Sequence, residues 1–74
     1  PPAERKAIQE LYLEANHQTE TTGVDHHVDH IWPLSIGGEH RMFNLQILPA
    51  EENLSKKDTF REEDQALIIQ RLFN

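Results

Sequence analysis

Residues 27–33 read HVDHIWP, and this short run of β-branched and aromatic residues decides the fold. Such a run, stopped by Pro33, predicts a short β-strand. Residues 45–48 read LQIL, alternate apolar and polar over their first three positions, and predict the partner strand. The segment between them, Ser35 to Asn44, contains Gly37-Gly38 and predicts the long connection of a hairpin. A two-stranded hairpin therefore forms the centre of the expected fold.

Helix-forming patterns surround this hairpin. Ala3 to about Asn16 is rich in helix formers and carries one apolar stripe at steps of three and four residues. The polar, Thr-rich segment His17 to Gly23 that follows predicts a loop. A short helix is expected from about Ala50 to Lys57, because a proline precedes it and acidic residues occupy its first turn.

A last helix is expected over about Phe60 to Leu72, since Thr59 and Glu62 have the spacing of a capping box. The whole chain is then a single α+β domain, in which the hairpin and the short helix lie between an N-terminal and a C-terminal helix. The stripes of the two outer helices are expected in the core, together with four side chains nearer the centre: Trp32, Leu45, Ile47 and Leu54.

Composition narrows the function classes. The chain has 74 residues, enough for one small domain, and no cysteine, which excludes a disulfide framework and a thiolate zinc site. Seven basic residues against thirteen acidic ones give a net charge of −6, which argues against a protein that binds nucleic acid through an overall positive charge. Only residues 41–61 carry a basic excess, with four basic and three acidic side chains. No apolar run is long enough for a membrane span, so we expect no membrane partner and a cytoplasmic location.

Histidine is concentrated in one part of the chain. Four of the five histidines lie within fifteen residues: His26, His27, His30 and His40. Asp29 and His30 are adjacent on the predicted strand, so their side chains are expected on opposite faces and in different tasks. A carboxylate suits a hard cation such as Mg²⁺, and a neutral imidazole suits a general base near neutral pH. Asn53, in the short helix, offers an amide oxygen that the chain can fold back towards Asp29.

Three stretches together resemble the HNH endonucleases, which have the ββα-metal fold. They read VDHIWPLSIGGEH at 28–40, NLQIL at 44–48 and ENLSK at 52–56. The family pattern, roughly D-H-I-x-P-L-x-x-G-G-x-H-x-x-x-N-L-Q followed by N-x-x-K, is matched at nearly every fixed place. The match covers about residues 28–57, within a motif core of about 26–58. Asparagine at the third position makes this an H-N-N variant, and the cysteine pairs with which many relatives bind structural zinc are absent.

The resemblance implies a metal-dependent DNA endonuclease or nicking enzyme, whose products carry a 5′-phosphate and a 3′-hydroxyl. His30 would be the general base that takes a proton from the attacking water. Asp29 and Asn53 would hold one divalent ion, and their oxygen ligands make Mg²⁺ or Mn²⁺ more suitable than zinc. Asn44 would bond the backbone of the hairpin loop and so orient His30.

Five further residues are candidates for supporting roles. His27 shares a strand face with the expected aspartate ligand and is an auxiliary candidate, with a solvated histidine at a strand edge as the alternative. His40 occupies the family's G-G-x-H place, where it would contact substrate or brace the loop. Lys56 lies one helical turn beyond the expected asparagine ligand and would reach a phosphate. Arg41 and Lys57 are also phosphate-binding candidates, with solvated surface charges as the alternative.

Two other interpretations stay open. The net charge of −6 favours a non-catalytic nucleic-acid-binding or protein-interaction module on the same fold. A structural zinc site built from His26, His27 and His40 is the third interpretation. For the endonuclease, double-stranded DNA is the expected substrate, and a further domain or protein partner would supply DNA affinity. The resemblance also favours a bacterial or phage-infected cell as the setting.

Overall fold

A computed structural model describes all 74 residues, and the expected α+β fold is confirmed. A two-stranded antiparallel hairpin and a short helix form the centre, and one helix precedes and one follows them. The elements are, in order, α1 (Pro2–Thr22), β1 (His26–His30), β2 (Leu45–Pro49), α2 (Ala50–Lys56) and α3 (Glu62–Phe73). Two single 3₁₀ turns, Leu34–Ile36 and Met42–Asn44, lie in the connection between the strands, which we call the interstrand loop (residues 31–44). None of the helices combines the length and the apolarity that a membrane crossing needs.

The first helix is longer than its sequence suggested. α1 continues to Thr22, so the loop expected over His17–Gly23 is wrong. Threonine disfavours a helix interior, but here its hydroxyl bonds back one turn: Thr22 Oγ1 donates to the Gln18 carbonyl at 2.6 Å. Gly23 then ends the helix in the left-handed conformation, with a φ of 72°, and its N–H donates to the carbonyl of Thr19 at 2.9 Å. The helix therefore stops at its first glycine and not at its first polar run.

The first strand is shorter than expected. β1 covers His26–His30, whereas the sequence predicted a strand that continues to Pro33. Its last residue lies opposite Leu45, the first residue of β2. Beyond that point the chain bonds to Asn44 and not to a strand, because the Asn44 side-chain oxygen accepts the N–H of Trp32 at 2.7 Å. A side chain of the interstrand loop therefore ends the ladder.

The hydrophobic core is thin. Four apolar side chains are fully enclosed: Ala15, Ile31, Leu45 and Ile68. They come from both outer helices, the interstrand loop and β2, and so they join the outer helices to the hairpin. Leu54, expected in the core, is 72% exposed, because the buried residue of α2 is Lys56 and helix residues two apart do not share a face. Trp32 and Ile47 are only half-buried, and the ring of Trp32 stacks on Phe60 with centroids 5.3 Å apart.

The capping box expected at Thr59–Glu62 is also wrong. The Thr59 hydroxyl donates to the carbonyl of Lys56 at 2.6 Å, so Thr59 closes the turn after α2 and does not cap α3. α3 begins two residues later than expected, at Glu62, and the Asp64 carboxylate accepts the N–H of Arg61 at 3.0 Å. The start of α3 thus has one of the two hydrogen bonds of a capping box, the one in which the N3 side chain accepts the N-cap N–H. This bond lies two residues further along the chain than expected.

Candidate active site

The end of β1, the start of the interstrand loop and the turn after α2 border an open cleft of about 330 Å³. We call it the Asp29–His30 cleft, and its lining residues are Asp29, His30, Pro33, Leu34, Ser35, Lys57 and Asp58. The two name-giving side chains were expected on opposite faces of the strand. Both line the cleft because His30 is the last residue of β1, where the chain leaves the strand ladder. The two side chains have different hydrogen-bond partners, His40 for His30 and Gln46 for Asp29.

Asn44 has the hydrogen bonds that the sequence predicted for it. It is fully buried, and its side-chain amide donates to the carbonyls of Trp32 and Glu39, each at 2.8 Å. Its amide oxygen accepts the Trp32 N–H, and its backbone carbonyl accepts the N–H of Ile31 at 2.9 Å. An amide is suited to this task because it both donates and accepts. Asn44 therefore fixes the segment that directly follows His30.

His30 is paired with a second histidine. Its Nε2 lies 2.9 Å from Nδ1 of His40, and the ring centroids are 5.2 Å apart at an interplanar angle of 53°. His40 is carried by the interstrand loop, and Gly38 lets the loop fold closely enough to place it. A Cβ at Gly38 would overlap the carbonyl oxygen of Trp32, so only glycine fits there. The spacing of ten residues between the two histidines did not indicate this pairing.

Partial burial lowers the pKa of His30 below its ordinary value, because a desolvated ring disfavours the charged imidazolium. Repulsion from the charged form of His40 and, more weakly, from Lys56 lowers the pKa further, whereas the Asp29 carboxylate opposes this. The net direction keeps the ring neutral at neutral pH, and a neutral imidazole can accept a proton.

Only one carboxylate oxygen of Asp29 has partners within the protein. Its Oδ2 accepts a hydrogen bond from Gln46 Nε2 at 3.0 Å and lies 3.8 Å from Lys56 Nζ. Gln46 is the residue opposite Asp29 in the strand register, so the hairpin itself supplies this partner. The second carboxylate oxygen makes no hydrogen bond within the protein. One oxygen of Asp29 therefore stays free for a ligand at the cleft.

Lys56 does not have the position that a phosphate-binding residue needs. It is only 8% exposed, and its ammonium group donates to the carbonyls of His30 at 3.3 Å, Ile31 at 3.1 Å and Thr59 at 3.1 Å. An ammonium has three donors, and these three carbonyls use all of them. Lys56 thus ties the end of α2 to the end of β1, and the expected phosphate contact is corrected to a structural role.

Arg41 is likewise engaged within the protein. Its Nε lies 2.9 Å and 3.0 Å from the two carboxylate oxygens of Glu4, and Glu4 also accepts the N–H of Met42 at 3.0 Å. The Arg41 hydrogen bond, helped by the one from Met42, holds the pKa of the Glu4 carboxyl below its usual value. This contact fastens the first turn of α1 to the interstrand loop next to His40. The Arg41 side chain is half-exposed, but its charge is already paired with that of Glu4.

No hydrogen bond joins Asn53 to Asp29. Asn53 lies on α2, is half-buried, and its side chain makes no hydrogen bond, so its amide oxygen has no competing partner. No group of three or more His, Asp or Glu side chains converges on one point. Mg²⁺ does not need such a group, since it keeps several waters and binds through one or two carboxylates and substrate phosphates. The free oxygen of Asp29 fits that kind of site better than a closed protein cage.

The histidines of the proposed zinc site are not gathered together. The His26 ring is bonded to the carbonyl of Val24 at 2.6 Å, and His40 is bonded to His30. His27 is exposed on β1 and makes no side-chain hydrogen bond, which fits a solvated histidine at a strand edge.

The comparison with known proteins found nothing: the chain matches no family model, no curated protein and no solved structure.

Proposed function

We propose that the chain is an HNH-type, metal-dependent endonuclease or nicking enzyme that hydrolyses phosphodiester bonds in double-stranded DNA. The observation that carries this proposal is the set of hydrogen bonds of the buried Asn44 side chain. They brace the chain next to a neutral, proton-accepting His30 and a half-free Asp29 carboxylate at one cleft. This combination of a fixed base and a hard oxygen ligand suits metal-assisted phosphodiester hydrolysis.

His30 acts as the general base in this proposal. The role requires the tautomer in which His30 Nε2–H donates to His40 Nδ1, 2.9 Å away, because Nδ1 of His30 then has a free lone pair to take a proton from water. Asn44 keeps the ring in position, because it fixes the residues that follow His30. Asp29 and Asn53 would hold the divalent ion, Mg²⁺ or Mn²⁺. When bound, such an ion neutralises charge on the phosphoryl group and on the leaving 3′ oxygen.

The acidic surface sets the expected mode of DNA binding. The net charge is −6, and Lys56 and Arg41 both have partners within the protein, so little positive charge is left to bind DNA. We expect weak binding without metal, and a further domain or protein partner as the source of affinity. The setting we propose is the cytoplasm of a bacterial or phage-infected cell.

Plasmid nicking tests the proposal directly. The chain is incubated with supercoiled plasmid and a panel of divalent ions, and the wild type is compared with His30→Ala. We expect nicking with Mg²⁺ or Mn²⁺ and a loss of about 100-fold or more in His30→Ala, the usual worth of a general base. His17→Ala is the matched control, because His17 is exposed on α1 and its ring makes no contact with the cleft.

Two outcomes would contradict the endonuclease. One is the absence of nicking with every ion, and the other is nicking that His30→Ala leaves unchanged. Tight metal-free DNA binding without cleavage would instead support the non-catalytic binding module.

A further inference from the structure

The turn after α2 contains the one non-glycine residue of the chain with a positive φ. Lys57 has a φ of 48° and a ψ of −133°. Lys56 and Thr59 close this turn, because the Thr59 N–H donates to the Lys56 carbonyl at 3.1 Å. The dihedral angles of Lys57 are those of the first central residue of a type II′ turn, a place that glycine dominates. A side chain with a Cβ is therefore kept where the backbone favours glycine.

Lys57 is also the one cation that lines the Asp29–His30 cleft. The other charged residues that line the cleft are the acidic Asp29 and Asp58, so Lys57 is the lining group that attracts a phosphate. The ammonium of Lys57 makes no hydrogen bond or ion pair in the protein, in contrast to that of Lys56. A free cation thus stands at the cleft, next in sequence to a buried one.

From these two observations we infer that Lys57 binds a phosphate of the DNA backbone at the Asp29–His30 cleft, and that the strained turn is kept because it presents Lys57 there. This inference rests on the proposed function for its substrate. Strained backbone persists where the surroundings impose it, and it clusters at functional sites. Lysine suits the task, because its ammonium is a compact point charge with three donors. The sequence named both lysines as phosphate-binding candidates, and the donors of Lys56 are already used within the protein.

The test separates the charge of Lys57 from its backbone. Lys57→Gln removes the charge, Lys57→Gly removes both the charge and the strain, and Lys57→Arg restores the charge. Lys6→Gln is the matched control, since Lys6 is exposed on α1 and lies outside the cleft. We expect kcat/KM for plasmid nicking to fall about 10- to 100-fold in Lys57→Gln and Lys57→Gly, the worth of one charge-assisted hydrogen bond. Lys57→Arg should retain most of the activity, and Lys6→Gln all of it.

Thermal unfolding supplies the second measurement. Lys57→Gly should keep the wild-type Tm or raise it by up to about 8 °C, because glycine adopts this backbone without strain. Loss of activity with unchanged or higher stability is the signature of a residue kept for binding. A fall in Tm of several degrees in Lys57→Gly would overturn the argument from strain, and full activity in Lys57→Gln would overturn the phosphate contact.

Binding of a 20-base-pair DNA duplex to the metal-free chain keeps the inference separate from the nuclease. At low salt, Lys57→Gln should weaken duplex binding and reduce the salt slope by about one, whereas Lys6→Gln should change neither. If the wild type does not nick, the proposed endonuclease fails, yet this binding difference would still support the phosphate contact. Equal duplex binding by Lys57→Gln and the wild type would overturn it.

Discussion

The two sides of the Asp29–His30 cleft are held in place by different chemistry. On the interstrand loop side, the neutral amide of Asn44 bonds one N–H and two carbonyls. On the α2 side, the charged ammonium of Lys56 bonds three carbonyls. Both side chains are buried. The exposed His40 on the loop side is paired with His30, and the exposed Lys57 on the α2 side lines the cleft.

The difference follows from which backbone groups have to be satisfied. An amide can donate and accept, so it suits the place where the chain leaves the ladder with both an N–H and carbonyls unpaired. An ammonium only donates, so it suits three converging carbonyls, but its charge costs more to bury. The loop side is thus held without strain, whereas the α2 side combines a buried charge with the strained backbone of Lys57. We expect the loop side to contribute more stability.

Removing the amide should give the largest effect. Asn44→Ala leaves the Trp32 N–H and two carbonyls without partners, and each buried unsatisfied group costs about 1–3 kcal/mol. We expect a loss of about 3 kcal/mol or more in the free energy of unfolding, measured by urea denaturation. A domain of this size has a total of about 4–11 kcal/mol, so the variant should be close to unfolding. Asn16→Ala, at an exposed position of α1, is the control and should change the free energy by less than about 0.5 kcal/mol. Similar losses in the two variants would contradict the role of Asn44.

Removing the buried ammonium should give the next largest effect. Lys56→Met keeps the length of the side chain but leaves the carbonyls of His30, Ile31 and Thr59 without their donor. We expect a loss of about 2 kcal/mol in the free energy of unfolding, the worth of hydrogen bonds to a charged group after the cost of burying the charge is regained. The neighbouring Lys57→Gln is the control and should leave stability unchanged. If both lysine variants lose equal stability, the division between a structural and a functional lysine is wrong.

The fold could be predicted from the sequence wherever local patterns decide it. The hairpin, the short helix and the order of elements follow from apolar alternation, prolines and acidic first turns. The errors lie at boundaries that tertiary hydrogen bonds decide. Thr22 bonds back to Gln18 and lengthens α1, and Asn44 shortens β1 by taking the N–H of Trp32. Such bonds have no signal in a local window of sequence.

In the candidate site, too, the sequence predicted some features, whereas others depend on tertiary contacts. The ordered motif predicted that Asn44 bonds the backbone of the interstrand loop, and these bonds are found. It also singled out His30 and Asp29, but it did not predict that both side chains line one cleft. It did not predict which of two adjacent lysines is buried, because their order along a helix end depends on where the helix stops. Nor did it predict the pairing of His40 with His30, since this depends on how Gly38 folds the interstrand loop. Only the three-dimensional structure distinguishes these residues.

The smallest expected effect concerns the contact between His40 and His30. NMR titration of the ring should give His30 a pKa below the usual 6.5, because burial and the neighbouring His40 both disfavour the imidazolium. In His40→Ala the pKa should rise, since one cause of the lowering is removed. The nicking rate should fall as the pH drops through the pKa, so the decline should begin at a higher pH in His40→Ala than in the wild type. His17→Ala should leave the pKa of His30 unmoved. A pKa that stays the same or falls in His40→Ala would contradict the coupling of the two rings.

The same shift sets the sign of the stability change with pH. The folded-state pKa of His30 is lower than its unfolded value of about 6.5, so the unfolded chain binds the proton more readily between these two values. The contribution of His30 to stability is therefore fully present above about pH 6.5 and is lost as the pH falls towards the folded-state pKa. His40→Ala narrows the gap between the two pKa values, so its free energy of unfolding should depend less on pH in this range. Urea denaturation between about pH 5 and 7.5 measures both slopes, and a steeper slope in His40→Ala would show that His40 raises the pKa of His30.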